Sequence, residues 1–201
     1  MEMTVRDGVP VALLIIDMIN DYDFEESDLL LAHMEAVAGS IARLKEQAKA
    51  VDMPVIYVND NFGRWQSDRQ KLVDYCCGGK GKDVVGPIVP ETDDYFIIKP
   101  KHSGFFSTPL SSLLNDLNVH TLILTGVAGN ICVLFTANDA YMRGFTLHVP
   151  SDCLASNIKE DNERALLLMA NTLKADTSAS GDMDLLHIIE ETKNRKKSTI
   201  F

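Results

Sequence analysis

The 201-residue sequence predicts an α/β fold: a mostly parallel sheet with helices packed on both faces, three layers in all. Three observations carry that expectation. Short, continuously apolar and β-branched stretches such as Val11 to Asp17 and Thr121 to Val127 read as strands buried on both sides. Longer stretches with apolar residues at helical spacing, such as Leu29 to Lys49, lie between them. The two kinds alternate along the chain, and repeated strand-helix-strand units close onto parallel strands through right-handed crossovers.

Taken in order, Val11 to Asp17 is the first strand, and it ends on an acid. A polar connection from Asn20 to Asp28 leads into the first crossover helix, Leu29 to Lys49, which Met53-Pro54 stops. Val55 to Val58 is a second buried strand, opening into Asn59-Asp60-Asn61-Phe62-Gly63-Arg64-Trp65. Up to about Pro90 the run Cys76-Cys77-Gly78-Gly79-Lys80-Gly81-Lys82 breaks any periodicity, so a short helix and a glycine-rich surface loop are expected there. Tyr95 to Ile98 is a third strand, closed by Lys99-Pro100. Thr108-Pro109-Leu110 starts a helix with proline where a missing N–H costs nothing. Thr121 to Val127 is the fourth strand, Asn130 to Arg143 the next helix, and Gly144 its stop. Thr146 to Pro150 is a fifth strand, Glu160 to Leu173 a helix, Lys174 to Ser180 a short sixth strand, and Met183 to about Arg195 a terminal helix.

At 46% hydrophobic residues the chain can bury one sizeable core, and a single domain over residues 1–201 is expected. A net charge of -10 argues against nucleic acid or an anionic membrane surface as a partner, because both reward clusters of Lys and Arg. Four unevenly spaced cysteines do not make a disulfide framework in a chain this long. The opening MEMTVRDG carries no basic-plus-apolar leader, and no apolar run reaches the roughly 18–20 residues of a membrane span. A soluble, cytoplasmic protein acting on a small molecule is the expectation.

In parallel sheets of this kind ligands bind outside the carboxyl ends of the strands, where the strand order reverses. That rule sorts the candidate residues. Asp17 ends the first strand, Lys99 ends the third, and Cys132 stands in the first turn of the helix after the fourth, so topology brings all three to one sheet edge. Unpaired N–H groups and the positive end of the helix dipole at that turn favour an anion, so Cys132 should ionise more easily than a free cysteine. The alternative for Cys132 is a small buried apolar residue; Asp17 and Lys99 taken singly would be a helix cap and a solvated strand end.

Together the three make an activated thiol. Asp17 accepts the thiol proton, Lys99 stabilises the thiolate and orients the carboxylate, and Cys132 attacks a carbonyl carbon. The backbone N–H groups of Ala128 and Cys132, in the sharp turn before the helix, are placed to receive the oxyanion. Asp17 then protonates a leaving amine, and water releases the acyl group.

The Asp17 strand end (LLIIDMINDY), the Lys99 segment (IIKPKHSGFFSTPL) and the nucleophile turn (LILTGVAGNICVLFTANDAYMRG) resemble the isochorismatase-like cysteine hydrolase superfamily over roughly Val11 to Asp152. Nicotinamidases, carbamoylsarcosine and ureidoacrylate amidohydrolases, and isochorismatases belong to it. The resemblance implies an Asp17-Lys99-Cys132 triad, a six-stranded parallel sheet of Rossmann-like form and a cis peptide between Val127 and Ala128. It also picks Lys99 over Lys101, because the family's catalytic lysine directly precedes the Pro-basic-aromatic-Ser run. Oligomers are usual in the family, so a homo-oligomer is expected.

Departures from the family's subgroups narrow the substrate. Nicotinamidases carry an Asp-x-His metal site after the second strand, whereas Asn59 to Gly63 contains no histidine here. The five histidines (His33, His102, His120, His148, His187) show no ligand spacing, so neither a metal nor another cofactor is expected. Isochorismatases that cleave the vinyl ether commonly lack the cysteine, which favours an amidase acting on a small amide, carbamoyl or ureido compound. The alternatives are an isochorismatase-type hydrolase of a small carboxylate and a non-catalytic redox or electrophile sensor built on Cys132. Phe24, Trp65 and Phe105 are candidate pocket walls, Trp65 as a stacking surface for a planar substrate, and Asn61 and Arg64 are candidate carboxylate contacts. Cys76 and Cys77 are read as loop residues without chemistry.

Overall fold

The computed structural model describes residues 8–61 and 68–198. Six strands form one sheet: β1 (Val11–Ile16), β2 (Val55–Asp60), β3 (Tyr95–Lys99), β4 (Thr121–Val127), β5 (Thr146–His148) and β6 (Leu154–Ala155). All pairings are parallel, in the order β3-β2-β1-β4-β5, and β6 pairs with the far end of β4 through Gly126↔Leu154 and Val127↔Ala155. The chain therefore winds outward from β1 to β3, returns to the other side of β1 with β4, and winds outward again. The reversal falls between β1 and β4, where Ile16 pairs with Gly126.

Alternation along β1 divides the core. Val11, Leu13 and Ile15 pack with α1 (Ser27–Ala50), α2 (Arg69–Cys77), α3 (Lys82–Val85) and α7 (Leu185–Ser198). Ala12, Leu14 and Ile16 pack with α4 (Leu110–Asp116), α5 (Leu134–Met142) and α6 (Lys159–Leu173). Every residue of β1 is fully buried, which is why its sequence is apolar throughout and does not alternate. At about 1.5–3 kcal/mol for each large aliphatic side chain, this central strand anchors both layers.

The sheet departs from its sequence reading at the sixth strand. Lys174 to Ser180 makes one isolated parallel bridge, His148↔Asp176, and no strand. The Asp176 carboxylate accepts the backbone N–H and the hydroxyl of Ser178 at 2.9 and 2.7 Å, and this local turn ends the extension after one residue. The sixth strand is instead Leu154–Ala155, two residues too short to show a period.

The short helix expected before Pro90 is α2, but it takes in both cysteines read as loop residues. Cys76 sits on α2 and is completely buried, whereas Cys77 beside it is exposed. The helix expected from Asn130 opens with a π-type turn, Gly129–Val133, before regular α5 begins. Among the described residues no helix is long and apolar enough to cross a membrane.

Candidate active site

Asp17 follows β1 directly, with its backbone N–H bonded to the Val58 carbonyl at 3.0 Å. Its φ of 52° lies in the left-handed region, which Asp tolerates better than most residues. The carboxylate is buried, and its Oδ1 accepts the Asp60 backbone N–H at 2.7 Å. Lys99 is the last residue of β3, the outer strand, in register with Asp60. Its side chain is fully buried and reaches past the end of β2 to place Nζ 2.8 Å from Asp17 Oδ2 and 3.7 Å from Cys132 Sγ. Asp60 Oδ2 lies 3.8 Å from the same ammonium. Lys101, two residues on, is exposed.

Cys132 stands in the π-type turn after β4, and the Val127–Ala128 peptide before that turn is cis. The turn has little room to move. Gly126 adopts φ 112°, and a Cβ there would run into the Ile16 carbonyl of the neighbouring strand. A Cβ on Gly129 would meet the Asn162 side chain. The Asn130 N–H donates to Ser156 Oγ at 3.2 Å, and the Ile131 and Val133 N–H groups both reach the Ala128 carbonyl, at 3.1 and 3.2 Å. Thr136 locks the next turn: its Oγ1 donates to the Cys132 carbonyl at 2.7 Å and accepts the Gly104 N–H at 2.9 Å. The loop after β3 is thereby tied to the turn that carries Cys132.

Burial dominates the electrostatics. It pushes the Asp17 carboxyl above its ordinary value, with the Lys99 charge and the hydrogen bonds from Cys132, Lys99 and Asp60 offsetting only part of the effect. Burial pushes the Cys132 thiol up to about 12, the Asp17 charge adds to the rise, and Lys99 opposes it. For Lys99 burial works against the charge, but Asp17, Cys132 and Asp60 together hold the ammonium above its ordinary value. The expectation of an easily ionised Cys132 is therefore corrected. The helix-start effect is worth at most about 2 kcal/mol, and it loses to desolvation next to a carboxylate.

The arrangement is a neutral thiol hydrogen-bonded to a carboxylate of raised proton affinity, with one fixed positive charge touching both. Such a cluster can move the thiol proton to Asp17 as sulfur attacks, without creating an isolated buried charge.

The candidate pocket residues divide. Phe105 packs in the core, its ring 6.1 Å from Phe145 and beneath the Arg143 guanidinium at 4.7 Å, so it supports the fold behind the site. Phe24 is 42% exposed and leans on Tyr22 with ring centres 6.5 Å apart. Asn61 follows β2, half-buried, next to Asp60. Trp65 and Arg64 lie outside the described residues. Among the described residues no group of three or more His, Cys, Asp or Glu side chains is placed to hold a metal ion.

Two residues escaped the sequence reading: Asp60, which touches Asp17 and Lys99, and His102, which touches the thiol. Asp60 ends β2 as Asp17 ends β1, and the carboxyl-end rule applied to that strand would have found it. His102 lies within the Lys99 segment, yet counts only as one scattered histidine until its Nδ1 is seen 4.0 Å from Cys132 Sγ.

A family model for the isochorismatase domain matches residues 11–180. The uncharacterized isochorismatase family protein YaaI of Bacillus subtilis (strain 168) is 49% identical over 165 residues, covering 82% of this chain and 91% of that protein. Among solved structures, the nicotinamidase SaPncA of Staphylococcus aureus aligns with a TM-score of 0.67 at 26% identity, covering 85% of this chain and 99% of that one. N-carbamoylsarcosine amidase of Thermoplasma acidophilum aligns with a TM-score of 0.65 at 25% identity, covering 87% and 98%. On the span of that match and the 49% identity, the chain belongs to the isochorismatase family of hydrolases.

Proposed function

We propose that Asp17, Lys99 and Cys132 form the triad of a cysteine hydrolase that cleaves the C–N bond of a small amide, carbamoyl or ureido compound. The observation that carries this reading is the Lys99 ammonium in contact with both the Asp17 carboxylate and the Cys132 sulfur. Two of the structures the chain resembles are named as amidases, which supports C–N chemistry.

In this mechanism the thiol proton passes to Asp17 as Sγ bonds to the carbonyl carbon. Lys99 holds the carboxyl in place and balances the charge that builds on sulfur. We assign the oxyanion to the N–H groups of Ala128 and Cys132, whose neighbours Asn130, Ile131 and Val133 already donate elsewhere. Collapse of the adduct expels the nitrogen leaving group, which takes the proton from Asp17, and a thioacyl enzyme remains for water to hydrolyse.

The raised thiol pKa argues against a redox or electrophile sensor, since such a role needs a standing thiolate. A homo-oligomer belongs to the same proposal: Met142 on α5 and Leu167 on α6 are 73% and 62% exposed, and a second copy would cover them. Sedimentation equilibrium measures that directly.

The test is ammonia release from a panel of small amides and ureides, with Cys132→Ala as the blank. A substrate should be turned over by the native chain and left untouched by Cys132→Ala and Asp17→Asn. Release that survives either change would overturn the mechanism.

A further inference from the structure

Ser156 holds the turn that carries Cys132 from a side that Asp17 and Lys99 do not occupy. It follows β6, and β6 lies across β4 from β1: Gly126 pairs with Ile16 on one side and with Leu154 on the other. Asp17 therefore meets the turn from the β1 side and Ser156 from the opposite side. Ser156 is 2% exposed, and its Oγ accepts the Asn130 backbone N–H at 3.2 Å while donating to Asn162 Oδ1 at 3.0 Å. Asn162 stands near the start of α6, and its Oδ1 is packed so close to Gly129 that a Cβ there would overlap it.

This pair acts on the direction of one N–H group. A peptide unit is planar, so fixing an N–H fixes the plane that carries it. Ser156 fixes the plane of the Asn130 N–H, and the Ala128 carbonyl fixes those of Ile131 and Val133. The Cys132 N–H lies between them in the chain, and its direction follows from theirs. A serine hydroxyl turns freely about its C–O bond, and the donor bond to Asn162 stops that rotation with a lone pair left for Asn130. Both partners of the Ser156 oxygen lie outside the triad.

We propose that Ser156, oriented by Asn162, is a positioning residue that aims the Cys132 N–H at the oxyanion. The proposal rests on the cysteine-hydrolase reading above and adds to it a support from β6 and α6. The oxyanion exists only once sulfur has bonded to the carbonyl carbon. Donors aimed at it stabilise the transition state and not the bound substrate, so loss of Ser156 should appear in kcat and leave KM unchanged. Alkylation of Cys132 by iodoacetamide displaces iodide and forms no oxyanion. It should therefore proceed at the native rate without Ser156.

The experiment measures p-nitrophenyl acetate hydrolysis and iodoacetamide labelling, the latter read at Cys132 by peptide mass. It compares the native chain with Ser156→Ala, Ser156→Thr, Asn162→Ala and Cys132→Ala, with rates taken per folded molecule from circular dichroism. Ser156→Ala should lower kcat by about 10- to 100-fold, less than the roughly 100- to 1000-fold that follows outright removal of an oxyanion donor. Ser156→Thr keeps the hydroxyl and should recover most of the loss. Asn162→Ala frees the hydroxyl to rotate and should fall between the native chain and Ser156→Ala; it stays measurable should Ser156→Ala fail to fold. Three results would overturn the proposal: native kcat in Ser156→Ala or Asn162→Ala, labelling that slows in step with turnover, or Ser156→Thr as slow as Ser156→Ala. Hydrolysis at the native rate in Cys132→Ala would instead overturn the cysteine-hydrolase reading, so the two failures are distinguishable.

Discussion

Lys99 Nζ lies 2.8 Å from Asp17 Oδ2 although β2 separates the strands that carry the two residues. A shorter side chain at the end of β3 would not cross that gap. The contact couples the outer strand to the centre of the sheet, so removing either partner should be felt in stability as well as in turnover.

Lys99→Met should destabilise the fold by about 3–5 kcal/mol, because it strands the buried Asp17 carboxylate without its counter-charge. Urea unfolding measures the change. Adding Asp17→Asn removes the stranded charge, so the double variant should lose less than the sum of the two single losses.

Asp17→Asn should abolish turnover and yet make Cys132 easier to alkylate at neutral pH. The Asp17 charge is one cause of the raised thiol pKa, and its removal lets the thiol ionise more readily. In the native chain the rate of iodoacetamide labelling should climb with pH up to about 12, the value to which the thiol is pushed. In the variant the climb should begin at lower pH. Slower labelling of Asp17→Asn would count against the charge argument.

Gly126→Ala should cost roughly 1–3 kcal/mol for the backbone conformation alone, with the clash against Ile16 added to it. Because Gly126 lies just before the turn that carries Cys132, turnover of the folded fraction should fall as well. Thermal unfolding together with activity per folded molecule separates the two effects.

Asp152 offers a test of acid stability away from the site. Burial works against its charge, but its bonds to Ser180, 2.7 Å from the backbone N–H and 2.6 Å from the hydroxyl, outweigh that and hold the carboxyl below its ordinary value. The stabilisation is therefore complete above the unfolded value near 3.8 and is lost as pH falls through the lower folded value. Asp152→Asn should cost about 1–3 kcal/mol at pH 7, and its stability should converge with that of the native chain in acid.

What the sequence determined by itself was whatever depends on local pattern. Apolar runs such as Val11 to Ile16 and the helical spacing of Leu29 to Lys49 announce buried strands and crossover helices, because burial on two faces or one dictates residue type position by position. The same logic put Asp17 and Lys99 at strand ends, and Cys132 in the turn after the fourth strand, on one edge of the sheet. Tertiary structure decided the rest. Only the strand order shows that Lys99 must span β2 to meet Asp17, and only packing puts His102 beside Cys132. Phe105, chosen for its place in the chain, turned out to pack in the core. The protonation of Cys132 was decided there too. A helix start favours the thiolate through a local dipole, but burial and the facing Asp17 carboxylate, contributed by distant segments, are larger and of opposite sign.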